Sequence, residues 1–143
     1  MRTLIGKFAL LTLVLLTVGV RAGNAQITTQ MDFKMSQSFV VGNTTLPAGS
    51  YIIRPVPGSD QGVIEITNTA GKPAVMADVE LVNPDAAQTG AQLVFNRYKK
   101  ILALSQIFPG GGNQGYQLSA GHPEKLAAKT ETPTKQSVAA TAK

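Results

Sequence analysis

From Met35 onward the chain is cut into short β-rich runs by clusters of Gly, Pro, Asn and Asp, and this punctuation constrains the fold most. The runs are SQSFVV, SYIIRPV, VIEITN, AVMADVELV, AQLVFNRY, ILALSQIF and YQLS. They are separated by GNTTLPAG, PGSDQG, TAGK, NPDAAQTG, KK and PGGGNQG. Glycine reaches backbone conformations that other residues avoid, and proline fixes φ and removes a ladder donor. Each cluster therefore ends one strand and turns the chain toward the next. Seven runs at this spacing predict an all-β fold, a single small antiparallel β-sandwich or barrel of about seven strands. No segment between Gln26 and Gly121 carries the period of an amphipathic helix.

Alternation assigns faces within the runs. Val75, Ala77, Val79 and Leu81 fall on one side, Met76, Asp78 and Glu80 on the other, as in a strand with one wet face. Tyr51 and Ile53 share a face, Ile52 and Arg54 the opposite one. Leu93 and Phe95 are expected inward and Asn96 outward. The run Ile101 to Phe108 is apolar on both sides, with Leu102, Leu104 and Phe108 expected opposite Ile101, Ala103 and Ile107. It reads as a central, doubly covered strand. Tyr98 to Ile101 would be a tight hairpin into it, or a longer loop, because lysines suit positive φ poorly.

The ends have a different character. Arg2 and Lys7 precede an apolar run from Phe8 to Val20, and Gly23-Asn24-Ala25 supplies small residues before Gln26. That is the layout of a signal peptide cleaved after Ala25, in a run too short for a membrane span. Arg21 leaves a retained anchor as the alternative. The expectation is a secreted or periplasmic protein with no stable membrane span after cleavage. Gln26 to Lys34 would be an N-terminal arm, residues 35–121 the β domain, and residues 122–128 a short helix. The tail from Lys129 to Lys143 lacks large apolar residues and is expected to be disordered. Cysteine is absent, which rules out disulfides, thiolate metal sites and a lipid-anchored bacterial signal.

Charge and residue chemistry narrow the function classes. Without Arg2, Lys7 and Arg21 the chain holds ten basic and eight acidic residues, a net of +2. Between Phe33 and Gly121 the net is only about +1, too little for a nucleic-acid binder. The single histidine, His122, stands beside a proline at the start of the tail, a poor place for a rigid catalytic base. Asp78 and Glu80 project side by side and would suit a hard cation or glycoside hydrolysis, or form the polar side of a strand. Pro109 to Gly115 lacks the Lys and Ser/Thr of a phosphate loop, and no cofactor is expected. The strands are too few and too short for an outer-membrane barrel. A candidate ligand surface gathers Tyr98, Lys99, Lys100, Phe108 and Tyr116. The leading expectation is an exported, non-enzymatic structural or interaction module with a protein or glycan partner. The alternatives are a module binding a glycan or small apolar ligand, and a hydrolase using Asp78 and Glu80.

Leu46-Pro47-Ala48-Gly49 lacks the threonine, the apolar stop segment and the basic tail of a sortase signal. Pro47 and Gly49 instead suit a turn that enters the strand beginning SYIIRPV. With IEITNTAGKPA, LVFNRY, ALSQIF and GYQL, the stretch FVVGNTTLPAGSYIIRP resembles a family of small secreted proteins abundant in soil acidobacteria. The similarity spans about Phe39 to Leu126, with Val41-Gly42, Leu46 to Tyr51 and Leu93 to Tyr98 matching intact. Lys99-Lys100 replaces the usual Gly-Asp, Leu102-Ala103 an aromatic pair, and Phe108 stands near the place of a Trp. The resemblance implies an exported protein and brings no assigned activity or functional residues.

Overall fold

The structure is a computed structural model that describes residues 30–58, 62–84 and 89–143. The expected signal peptide and residues 26–29 of the expected arm lie outside the described residues. Eleven strands and one helix follow in order: β1 (Met31–Met35), β2 (Phe39–Val41), β3 (Thr44–Leu46), β4 (Gly49–Pro55), β5 (Val63–Asn68), β6 (Pro73–Val82), β7 (Gln92–Arg97), β8 (Leu102–Phe108), β9 (Gly115–Leu118), α1 (His122–Ala128), β10 (Thr134–Ala139) and β11 (Thr141–Ala142). The hydrogen-bonded order is β10-β7-β8-β9-β6-β5-β4-β1-β11. The β2–β3 hairpin joins this path through Val40, opposite Ala103 of β8, and that pairing alone among the described strands is parallel.

β6 links the two halves of the sheet. Asp78 still pairs with Val63 of β5, whereas Val79 pairs with Leu118 of β9. Side chains of both halves meet in one core: Met31, Ile53, Ile64 and Ile66 from one side, Leu93, Phe95 and Ile107 from the other. Phe39 of β2 lies between them, its ring edge-on to Phe33, Tyr51 and Phe95 at centroid distances of 5.9, 5.2 and 5.8 Å. Such edge-to-face contacts match the positive rim of one ring to the negative face of the next.

All seven expected runs contain strands, with three differences in reach. The expected arm holds most of β1, whose Met31, Phe33 and Met35 are buried and alternate with Asp32 and Lys34. β3 lies inside the stretch read as a turn. The tail expected to be disordered holds β10, paired with β7 over six residues, and β11, paired with β1 over two. The missing apolar side chains did not prevent pairing, because the ladder is made by backbone groups. At its end Lys143 forms an ion pair with Asp32. Lys143, then Gln30, holds the Asp32 carboxyl below its ordinary range.

Two faces also differ from the alternation. The β7–β8 register steps from Phe95↔Leu104 to Val94↔Gln106, leaving Ser105 as the extra residue of a β-bulge. A bulge reverses the parity of the residues beyond it. The main core therefore takes Ile107 with Leu102 and Leu104, and Phe108 turns to the other side, still buried. On β6 the alternation holds to Val79, but Leu81 is 54% exposed.

The Leu-Pro-Ala-Gly stretch connects β3 to β4, and Tyr51 locks it. The phenolic O–H donates to the Pro47 carbonyl at 2.7 Å, while the ring stacks on Phe33 at 5.7 Å. Burial pushes the hydroxyl above its ordinary range, so it remains a donor at neutral pH. Tyr51→Phe keeps the ring and deletes this bond. The expected loss is about 1 kcal/mol, read from the urea midpoint at unchanged slope.

Candidate functional site

The Gly42-Asn43 tip of the β2–β3 hairpin anchors the helix. Gly42 takes φ of 57°, as a two-residue hairpin turn between paired Val41 and Thr44 requires. Asn43 then accepts the His122 N–H on its Oδ1 at 2.8 Å, satisfying a donor that the first turn of a helix leaves unpaired. Gly121 makes this approach possible, since a Cβ there would lie 1.8 Å from the Gly42 carbonyl oxygen. His122 itself is exposed.

So fixed, α1 places Glu124 against the end of β7. Glu124 is buried, and its Oε1 accepts from Asn96 Nδ2 at 2.6 Å and from the Tyr98 hydroxyl at 3.4 Å. Lys135 Nζ donates to Asn96 Oδ1 at 2.7 Å, so the Asn96 amide bridges a cation to the carboxylate. Burial and then the Glu124 charge push the Tyr98 hydroxyl up, which keeps it protonated as a donor.

Above this network an open groove of about 510 Å³ runs between the β7–β8 hairpin and the α1–β10 connection. Arg97, Tyr98 and Lys99 form one wall, and Thr130, Glu131, Thr132 and Thr134 the other. Two bonds tie the walls: Lys99 N–H donates to Glu131 Oε2 at 2.7 Å, and Arg97 Nε to Gln136 Oε1 at 2.6 Å. The hairpin turns tightly at Lys99-Lys100, with Tyr98 N–H bonded to the Ile101 carbonyl at 2.9 Å. The Lys99 ammonium has no partner among the described residues, which leaves it to the groove.

The surface expected from Tyr98, Lys99, Lys100, Phe108 and Tyr116 is therefore redrawn. Tyr98, Phe108 and Tyr116 are 5%, 3% and 6% exposed, so they form no aromatic platform. Tyr116 and Phe108 pack within the sheet, where the Phe108 ring lies against Gly115. Lys99 and Lys100 are exposed as expected, and only Tyr98 and Lys99 of the five line the groove. Thr130, Thr132 and Thr134 complete the lining; they alternate in KTETPT, but nothing in that run marks them as a wall opposite Lys99.

Asp78 and Glu80 are both exposed on β6, facing Val63 and Gln117 across the ladder. Among the described residues no three His, Cys, Asp or Glu side chains converge as metal ligands, and no helix is long and apolar enough to cross a membrane. Comparison with protein-family models, curated proteins and solved structures finds no match for this chain.

Proposed function

We propose that the chain is an exported, non-enzymatic interaction module, a barrel-like β domain that binds a polar, acidic glycan in the Arg97–Thr134 groove. The observation that carries this reading is the groove's lining. It presents a guanidinium, an unpaired ammonium and three threonines around a single carboxylate already engaged by a backbone N–H. Guanidinium and ammonium groups recognise sugar carboxylates, and hydroxyls match sugar hydroxyls. The charged and hydroxyl-bearing side chains among the lining residues favour a glycan over a small apolar ligand. The apolar run before Gly23-Asn24-Ala25 supports export, and the intact Leu-Pro-Ala-Gly-Ser-Tyr and Leu-Val-Phe-Asn-Arg-Tyr motifs support membership of the secreted acidobacterial family.

The test is an NMR titration with an oligogalacturonate and with a neutral oligosaccharide of equal length. Shifts confined to the amides of Lys99, Thr130, Glu131, Thr132 and Thr134 are expected for the acidic sugar. The double variant Arg97→Ala/Lys99→Ala should weaken binding roughly a hundredfold or more, since each charge-assisted contact contributes about 1.5–3 kcal/mol. Equal shifts from the neutral sugar, or none in the groove, would overturn the reading.

A further inference from the structure

The C-terminal segment occupies both ends of the hydrogen-bonded path. β10 pairs Thr134 to Ala139 with Arg97 to Gln92, and after Ala140 β11 pairs Thr141 and Ala142 with Asp32 and Met31. One short stretch thus fills the seam between β7 and β1, and Ala140 N–H adds a bond to the Ala91 carbonyl at 3.0 Å. Lys143 closes the end, its backbone N–H on the Gln30 carbonyl at 2.8 Å and its ammonium paired with Asp32.

What holds this strand differs from what it covers. None of its residues is buried, and only Val138 and Ala140 pack against the core. Its attachment is the backbone ladder, the side-chain bonds Arg97–Gln136 and Lys135–Asn96, and one ion pair at the surface, with little apolar burial. Beneath it, Leu93 and Phe95 of β7 and Met31 and Phe33 of β1 are buried. Elements with few buried apolar contacts open locally at far less cost than the whole domain. An opened seam would present two unpaired strand edges flanked by core side chains, a template for an incoming strand.

We propose that Thr134–Lys143 is an exchangeable strand, and that the seam between β7 and β1 accepts the same segment from a second copy of this chain. A second copy is the occupant for which every contact is already specified: eight register pairs, the Arg97–Gln136 and Lys135–Asn96 bonds, and the Lys143–Asp32 pair. The connection Lys129–Pro133 supplies the hinge, and Pro133 biases Thr132 toward extended backbone, as a strand leaving its own body needs. Swapping an identical element requires no new interface chemistry. It would also carry Thr134, one lining residue of each groove, onto the second chain, while Thr130 and Glu131 stay bonded to the Ala127 carbonyl of their own helix. The exchange does not depend on the groove's ligand.

The test uses full-length chains, which contain no native cysteine. Gln92 and Ala139 are cross-strand partners, within disulfide reach when cysteine stands at both. Mixing a Gln92→Cys chain with an Ala139→Cys chain at high concentration, then oxidising, should give a disulfide-linked heterodimer. Monomeric Gln92→Cys/Ala139→Cys, oxidised before concentration, should stay monomeric and dimerise only after reduction. Hydrogen exchange on the unmodified chain should show β10 and β11 amides exchanging at least about a hundredfold faster than those of β8. A fluorescent Thr134–Lys143 peptide should bind the full chain, and a shuffled peptide should not. The proposal is overturned by monomers alone with no cross-link, by strand amides that exchange only with global unfolding, or by equal binding of the shuffled peptide.

Discussion

Gly121→Ala is expected to destabilise the domain by about 3 kcal/mol, lowering the melting temperature by on the order of 10 °C. The reason is space and not backbone angle, since Gly121 has an ordinary φ of −77°. Its Cβ would stand 1.8 Å from Gly42 O, 2.2 Å from Gly42 C and 2.9 Å from Asn43 N. All three are backbone atoms of a tight hairpin, so no side chain can swing aside. Either the hairpin tip or the start of α1 must retreat by more than an ångström, which breaks the 2.8 Å bond from His122 to Asn43. Glu124 is carried by the same helix, so its bonds to Asn96 and Tyr98 loosen with it. Gly115 provides a graded comparison, because the nearest obstacle there is the Phe108 ring, a side chain and not backbone. Gly112→Ala is the control, with nothing within 4 Å of the new methyl. Thermal unfolding by circular dichroism ranks the three. A Gly121→Ala curve matching that of Gly112→Ala would mean that the helix is not seated on the hairpin.

The same contact shows why the strands were readable and the site was not. Tyr51 and Ile53, or Leu93 and Phe95, announce their burial through a two-residue period, and the structure buries all four. β1 carried that signal too, in Met31, Phe33 and Met35. β10 carried little, because its pairing rests on main-chain groups that every residue shares. Tyr98 looked exposed beside Lys99 and Lys100. It is buried because Glu124, 26 residues later, arrives on a helix whose position depends on Asn43, 79 residues before His122. The groove exists only once these distant segments meet, so its second wall could not be assigned from local pattern. The bulge at Ser105 is equally silent in the sequence, yet it decides which of Ile107 and Phe108 enters the main core.

Phe39→Ala should have the largest effect of any single side-chain truncation, about 4 kcal/mol. Phe39 is 1% exposed and belongs to a three-residue strand off the main path, so its backbone makes few of the sheet's bonds. Its ring does the joining. It contacts Phe33 of β1, Tyr51 of β4 and Phe95 of β7, which lie in different halves of the sheet. Deleting it leaves a cavity bounded by three large rings that are held by their own strands and collapse poorly. Each aromatic pair adds about 0.5–1.5 kcal/mol beyond area burial, though the three share one ring and do not sum. A domain of this size has only about 5–15 kcal/mol of stability, so the loss is a large fraction of the total. Phe39→Leu refills most of the volume without the ring edges and should cost less than half as much. Urea unfolding followed by near-ultraviolet circular dichroism measures both, with the Phe39→Ala midpoint falling sharply. A loss below about 1 kcal/mol for Phe39→Ala would show that the two halves hold together without this cluster, and that β6 and the C-terminal strand suffice to join them.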